Sequence, residues 1–525
     1  MTLDRWFLTG AERGNPHTRL DRRRPDGHAW STGNEVRALV HGRGYFAELL
    51  AGIRACRAGD LVLFTDWRGD PDERLGGPGT EVARVLSEAA ERGVLVKGLI
   101  WRSHLDRLYF SADENRHLGE DIEAAGGECL RDMRVRAGGS HHQKMAVLRY
   151  PGRPERDVAY VGGIDLCHGR DDDAEHLGDP RAVRISPPYG DRPPWHDIQL
   201  AIRGPAVGDV EATFRERWTD PSPLTRNPVH RLADLLRRDD DRPDPLPDQL
   251  PDPPRCGTQA VQVLRTYPYR RPGYPFAPRG ERSVALGYTK ALRQARRLIY
   301  LEDQYLWSAR VARSFAQALR DHPELHLIAV VPLYPDQPGA LADANQIVGR
   351  GQALDELYRA GGDRVAVYGL ENHAGTPVYV HAKVCVVDDV WLAVGSDNFN
   401  MRSWTHDSEL SCAVLDEADG PGFDRAGGLP RSVRLTLARE HLDRADGDDD
   451  DLVDPIRCAI AFGKAADDLE AWYAGGRVGV RPPGRLRRYR PPVAPGWARR
   501  AATVLYPSFF DPDGRPPDLR HGDDF

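Results

Sequence analysis

A pattern that occurs twice constrains this chain more than any single property of it. Residues 380–409 read V-H-A-K-V-C-V-V-D-D-V-W-L-A-V-G-S-D-N-F-N-M-R-S-W-T-H-D-S-E. Earlier, Ser140-His141-His142-Gln143-Lys144-Met145-Ala146-Val147 repeats the His-x-Lys and its apolar run, and Gly162-Gly163-Ile164-Asp165 matches Gly395-Ser396-Asp397-Asn398. The offsets agree closely: 381 − 142 = 239 and 395 − 162 = 233. Repetition at near-constant spacing predicts two copies of one structural unit in one chain. The runs are β-branched and short, so each reads as a strand. Side chains at i and i+2 share a strand face. That sets His142 beside Lys144 and His381 beside Lys383, with Val384 and Val386 packed the other way. His141 points opposite to His142 and is assigned no chemistry.

The residue types suit a phosphate group. Lysine offsets its charge, and the neutral donors Ser396 and Asn398 can fix its oxygens. A histidine can attack phosphorus or move a proton. No Asp/His/Cys ligand set accompanies the motifs, so no metal and no cofactor is expected. Gly163 and Asp165 stand at the positions of Ser396 and Asn398 in the other copy and are expected to line the same pocket. A histidine acting this way needs its second ring nitrogen held by an acceptor. Asp197-Ile-Gln-Leu-Ala-Ile parallels Glu409-Leu-Ser-Cys-Ala-Val, and each run opens on an acid. Asp407 competes with Glu409, because His196-Asp197 also resembles His406-Asp407.

Composition narrows the class. The 525 residues are 40% hydrophobic and 29% charged with a net charge of −7, which describes an ordinary globular chain and not a basic nucleic-acid binder. Seven scattered cysteines lack CxxC spacing. That argues against a cysteine zinc site or a disulfide framework and favours a reducing compartment. Neither a secretory leader nor a transmembrane run is visible. A cytoplasmic protein, peripheral at a membrane surface, is expected.

Strands and helices alternate in both halves, which predicts α/β layers. In the first half, helix is predicted at 45–58, strand at 61–64, helix capped by Thr80, and strand at 94–101. In the second, helix is predicted at 283–297, strand at 298–301, helix at 309–319, strand at 325–331 and helix at 352–360. Asp66 and Glu302 sit at apparently matching strand ends. The expected organisation is an irregular segment 1–32, a first domain 33–219, a Pro/Asp/Arg-rich linker 220–257, a second domain 258–442, and a C-terminal region 443–525 that is acidic and then basic.

With these residues in view, the chain resembles the phospholipase D superfamily, whose members carry two HxK(x)4D motifs. Its wording (SHHQK, YVGGIDLCHGR, PPWHD, GSDNFNMRS) is similar to the phosphatidylcholine-cleaving branch, from about Gly33 to Leu442. The resemblance implies two similar α/β/α sandwich halves related by a pseudo-two-fold axis, with one site between them in a monomer. It places the orienting acids at Asp197 and Glu409, with Glu409 preferred over Asp407. It implies that His142, Lys144, His381 and Lys383 catalyse phosphodiester cleavage of a phospholipid through a phosphohistidine, with His142 the nucleophile. Gln304, at the end of the strand 298–301, joins the expected substrate contacts. One position departs: with four residues intervening after Lys144, the motif lands on Arg149 instead of Asp, with Asp157 beyond an inserted hairpin. Asp388 keeps the motif in the second half and is read as structural. A nuclease or other non-lipid phosphodiesterase is the first alternative, and a non-catalytic binding protein that keeps the fold is the second.

Overall fold

The computed structural model describes residues 2–104, 110–237, 242–416, 428–491, 493, 495–522 and 525. The first half contributes β1 (Ser31–Val40), β2 (Leu61–Asp66), β3 (Leu95–Trp101), β4 (Glu128–Asp132), β5 (Met145–Arg149), β6 (Val158–Gly162), β7 (Trp195–His196) and β8 (Ile198–Arg203). The second contributes β9 (Gln259–Tyr267), β10 (Glu281–Arg282), β11 (Leu298–Asp303), β12 (His326–Val330), β13 (Val365–Glu371), β14 (Pro377–Val380), β15 (Lys383–Val387), β16 (Trp391–Gly395), β17 (Glu409–Asp416) and β18 (Leu486–Arg488).

The two sheets have one topology. In the first, the order is β1-β8-β6-β5-β2-β3-β4, and in the second it is β9-β17-β16-β15-β11-β12-β13. In each, the last three strands are parallel and the others antiparallel. β1 also pairs antiparallel with β9, and β7 pairs parallel with β14, so two of the strand pairings cross between the halves.

Every residue of β2, β5, β6, β11, β15 and β16 is buried, because helices cover both sheet faces. One core lies outside the first sheet, where Tyr45, Phe46, Leu49 and Ile53 of the helix Gly42–Ala55 and Val82, Val85 and Leu86 of Val82–Glu91 meet Val62 and Phe64. A second does the same for the other sheet, through Val284 and Tyr288 of Ser283–Leu292 and Val311 and Phe315 of Ala309–Asp321. The largest core is shared. It holds the inner faces of both sheets, Val207, Val210 and Phe214 of Ala206–Trp218, and Val433 and Leu437 of Leu429–Leu442. Burying one such side chain contributes about 1.5–3 kcal/mol, so this core binds the halves firmly.

Several local expectations change. Thr80 does not cap its helix. Its hydroxyl donates to the Gly77 carbonyl at 2.7 Å, and Glu81 occupies the N-cap. The helix expected at 352–360 runs Ala340–Gly361. The N-terminal segment is not merely irregular: Trp6, Phe7 and Leu8 are buried in the second half's core, and Arg13 pairs with Glu281 at 2.9 Å. Within the linker, a helix spans Pro228–Arg237, Asp244 accepts the Trp218 indole N–H at 2.8 Å, and residues 238–241 lie outside the described set. Past the second half, β18 joins the edge of β13, and Arg487 and Arg485 are held by Glu371 at 2.7 Å and Asp443 at 3.1 Å.

The Arg149 departure has a structural account. Its guanidinium donates to Asp157 at 2.8 Å, to the Pro251 carbonyl at 2.6 Å and to Glu211. Asp157 also accepts the Tyr150 N–H at 2.7 Å. In the second half, Asp388 accepts the N–H groups of Arg296, Arg297 and Leu298 at 2.7–2.9 Å. Both acids tie down a hairpin, and neither approaches the histidines. Replacing Arg149 by Leu leaves the buried Asp157 carboxylate without its cation, while Glu211 keeps Arg215 at 2.6 Å. We expect a loss of about 3–5 kcal/mol in urea unfolding, which Asp157→Asn in the same chain should partly restore.

Candidate active site

The two histidines sit just before their strands and not within them. β5 begins at Met145 and β15 at Lys383. The His142 N–H donates to the Ser408 carbonyl at 2.9 Å, and the His381 N–H donates to the His196 carbonyl at 2.8 Å. Each backbone bond therefore goes to the other half of the chain, which draws the histidine off its own ladder toward the interface.

The side chains cross in the same way. His142 Nδ1 lies 2.8 Å from Glu409 Oε2, and His381 Nδ1 lies 2.6 Å from Asp197 Oδ2. The histidine of each half is held by the acid that opens β17 or precedes β8 in the opposite half. Asp407 takes another role. It accepts the Ser140 N–H at 2.8 Å and is held by Arg402 at 2.7 Å. The Nε2 atoms of His142 and His381 make no hydrogen bond among the described residues, so each ring has one nitrogen fixed and one free.

The acids differ in length, and their surroundings compensate. Ser396 Oγ donates to Glu409 Oε2 at 2.5 Å. In the first half Gly163 takes the place of that serine. A Cβ there would lie 2.2 Å from Asp197 Oδ1, so the missing side chain is the space the shorter acid occupies. Asp197 accepts the Ile198 N–H at 2.9 Å and the Trp195 indole N–H at 3.4 Å.

Both lysines are fully buried. Lys144 Nζ donates to the His142 carbonyl at 3.1 Å and lies 3.3 Å from Asp165 Oδ1. Lys383 donates to the His381 carbonyl and, at 3.1 Å, to Gln304 Oε1. Gln304 in turn donates to the Tyr379 hydroxyl at 2.8 Å. Asn398 is buried, and its Oδ1 has no hydrogen-bond partner among the described residues. Trp67 stands edge-on to His142 at 6.4 Å and Trp195 packs on His381 at 5.0 Å between ring centres, whereas Trp404 is stacked on Tyr288 in the core.

Burial and the lysines set the protonation. Burial first, then the charges of Lys144 and Lys383, hold His142 well below the usual imidazole range, and burial with Lys383, Arg170 and Lys144 does the same to His381. Each ring feels both lysines, so the two motifs lie close together. Burial and Asp407 push Glu409 up to about 8, and burial also raises Asp197. Burial and the two lysines thus favour neutral rings. An anion bound beside the rings would draw protons toward them.

Several residues were not found by sequence reasoning. Arg170 lies over the Trp195 ring at 3.8 Å and 3.8 Å from Asp165, and its only signal was its place in the run YVGGIDLCHGR. The match of Asp66 to Glu302 is off by one residue. Thr65 pairs with Met145 and Glu302 with Val384, so Asp66 corresponds to Asp303. A shift of one along a strand reverses the face. Asp303 is next to Lys383, while Glu302 points away into a buried histidine cluster. Asp66 is pushed well up by burial and by Asp165; Asp165, though buried, is held down by Lys144 and Arg170.

Gly163→Ala tests the crossed geometry directly. We expect the methyl group to displace the Asp197 carboxylate and to remove the strongly downfield Nδ1 proton of His381 from the NMR spectrum of histidine-labelled protein. The His142–Glu409 signal should persist.

Residues 74–242 match the family model described as Phospholipase D, and residues 288–419 match Cardiolipin synthase, PLD-like domain. The chain is 25% identical to phospholipase D alpha 1 of Cynara cardunculus over 80% of its own length and 65% of the relative's. It is 26% identical to phospholipase D1 of Saccharomyces cerevisiae over 81% of its length, though only 29% of that protein's. The chain thus spans just under two thirds of the plant relative. Among solved structures, phosphatidylserine synthase of Haemophilus influenzae superposes with a TM-score of 0.53 at 14% identity, covering 84% of this chain and 94% of that one, which shows a common fold. Two copies of one sheet topology, two His-x-Lys motifs crossed onto opposite acids, and matches in both halves lead to one conclusion: the chain belongs to the phospholipase D superfamily.

Proposed function

We propose that the chain is a phospholipase D-type phosphodiesterase that hydrolyses glycerophospholipids at a membrane surface to phosphatidic acid and a free headgroup alcohol. The crossed pairs carry this reading: two imidazoles, each held at Nδ1 by a buried carboxylate, leave two Nε2 atoms free beside two buried lysines. One Nε2 attacks phosphorus, the bond to the headgroup oxygen breaks, and the other imidazolium gives that oxygen its proton. The second ring then takes a proton from water, the hydroxide attacks phosphorus, and the P–N bond breaks. The sequence resemblance favours His142 as nucleophile and His381 as acid. Lys144 and Lys383 offset charge on the equatorial oxygens, each contributing about 3–4 kcal/mol if it behaves like other preorganised donors. Gln304, Ser396, Asn398, Gly163 and Asp165 complete the surroundings of the phosphate. The relatives named phospholipase D support a lipid substrate. None of the described helices is long and apolar enough to cross a membrane, so access from the surface fits.

A panel of phosphatidylcholine, phosphatidylethanolamine, cardiolipin and single-stranded DNA tests the substrate class, and cleavage of DNA alone would replace this reading with a nuclease. With a cleaved lipid in hand, ethanol should divert product from phosphatidic acid to phosphatidylethanol. A substrate chiral at phosphorus should react with retention, since two in-line displacements restore configuration, and inversion would exclude the covalent intermediate. His142→Ala and His381→Ala should each lower kcat by about 10³-fold or more, and the double variant should lose little beyond either.

Lys383 supplies a pH prediction. Burial, opposed by Asp197 and aided by Lys144, lowers its ammonium to about 8. The cationic form offsets the phosphate, so its contribution is present below that pH and lost as pH rises through it. We expect an alkaline limb in kcat/KM near pH 8, lying higher in kcat because the bound anion favours the charged lysine. In Lys383→Arg the limb should move up by about two units or more; an unmoved limb would assign it to Glu409.

A further inference from the structure

Behind the Asp197–His381 pair lies a second cluster that the proposed chemistry does not use. His41, which precedes the helix Gly42–Ala55, His176 in the loop between β6 and β7, and His196 in β7 converge on Glu440 of the helix Leu429–Leu442. His41 Nε2 is 2.8 Å, His176 Nε2 3.1 Å and His196 Nδ1 3.5 Å from the Glu440 carboxylate. These ligand atoms all lie within 4.8 Å of one another. All three rings are buried.

We infer that His41, His176, His196 and Glu440 form a binding site for a zinc-class divalent cation, set between the two halves of the chain. Three imidazoles and one carboxylate are a ligand set of the right number and softness for zinc. Bonds of about 2.0–2.1 Å in a tetrahedron put ligand atoms about 3.3 Å apart, close to the spacing here. His196 Nδ1 is the sharpest indicator. It is fully buried, makes no hydrogen bond among the described residues, and aims at Glu440. Its other nitrogen, Nε2, is 2.6 Å from Glu302 Oε2, and Glu302 is also held by His441 at 2.7 Å and by the Tyr300 hydroxyl. A carboxylate on the far nitrogen fixes the tautomer and points the near lone pair inward, as the outer shell of a zinc site does. His176 Nδ1 faces Asp172 at 3.5 Å, a looser contact with no hydrogen bond among the described residues.

Charge balance points the same way. Glu302, Glu440 and Asp172 are buried or nearly so, and none forms an ion pair with lysine or arginine among the described residues. Their charge must be met by protons on the rings or by a cation. His196–Glu302–His441 is already closed by bonds of 2.6 and 2.7 Å, so the looser group around Glu440 is the one with room for an ion. His41 and His176 also hold positive φ, 69° and 53°, in bringing their rings to Glu440. The cation would touch no phosphate. It would tie the Leu429–Leu442 helix to the first half and brace the reacting pair from behind, since His41 N–H donates to the Asp197 carbonyl and the His196 carbonyl accepts from His381, both at 2.8 Å.

The test uses the full chain, produced in defined medium with zinc and then desalted. Elemental analysis should find about one zinc per chain, and stripping it should lower the thermal midpoint reversibly. Cobalt(II) in its place should give the visible d–d bands of a four-coordinate site. Glu440→Gln and His176→Asn should each reduce retained metal to less than about a tenth of an equivalent, and His142→Asn should keep it all. Folded wild-type chain that retains no zinc after dialysis against micromolar zinc would mean that protons alone hold the cluster, and the inference fails. It fails equally if both variants, folded by circular dichroism, keep the full complement.

Discussion

A buried imidazole can act as base, acid or nucleophile only if one nitrogen is held while the other is free. For the two motif histidines the holding group comes from the opposite half of the chain. Glu409 reaches His142 and Asp197 reaches His381, and the backbone N–H groups of the same histidines cross over as well. The site therefore exists only when the halves are docked. The shared core, the β1–β9 pairing and the β7–β14 pairing are what keep that docking in register.

The region around the site holds an unusual density of charge for a protein interior. Lys144, Lys383, Asp165, Asp303, Asp66, Asp197 and Glu409 are all buried. Isolated ions there would be prohibitively costly, so each is met by a neighbour or shifted toward its neutral form. The two rings are held well below the imidazole range and Asp197 and Glu409 are raised, which leaves these groups responsive to an incoming anion. Groups away from the pocket, such as Arg149 with Asp157 and Arg434 with Asp389, are simply paired.

Much of this was legible because the signal was repeated. His142 with Lys144 and His381 with Lys383 stand in matching apolar runs, and the strand-helix alternation around them is regular enough to predict the sheet order's repetition. What was hidden depends on geometry between halves. Nothing in the local sequence says that Glu409 serves His142 and not His381. The confusion of Glu302 with Asp303 is a one-residue slip, invisible where two acids adjoin and decisive once the strand register is known. Trp6, Phe7 and Leu8 form a contiguous apolar triplet with neither helix nor strand period, so their burial against the second half had no pattern to announce it. The cluster on Glu440 draws on positions 41, 176, 196 and 440, too far apart to form a motif.

The unequal acids have a consequence for descent. In a symmetric pair of identical chains, every position is present in both halves, so one acid and one supporting residue must serve both histidines. Joining the halves in a single chain removes that obligation. Here one histidine has a long acid steadied by Ser396, and the other has a short acid seated against Gly163. Neither partner can be exchanged alone: a serine at 163 would collide with Asp197, and a glycine at 396 would leave Glu409 without its donor. Each acid is thus tied to its supporting residue as a unit, and a single chain holding both halves leaves the two units free to differ.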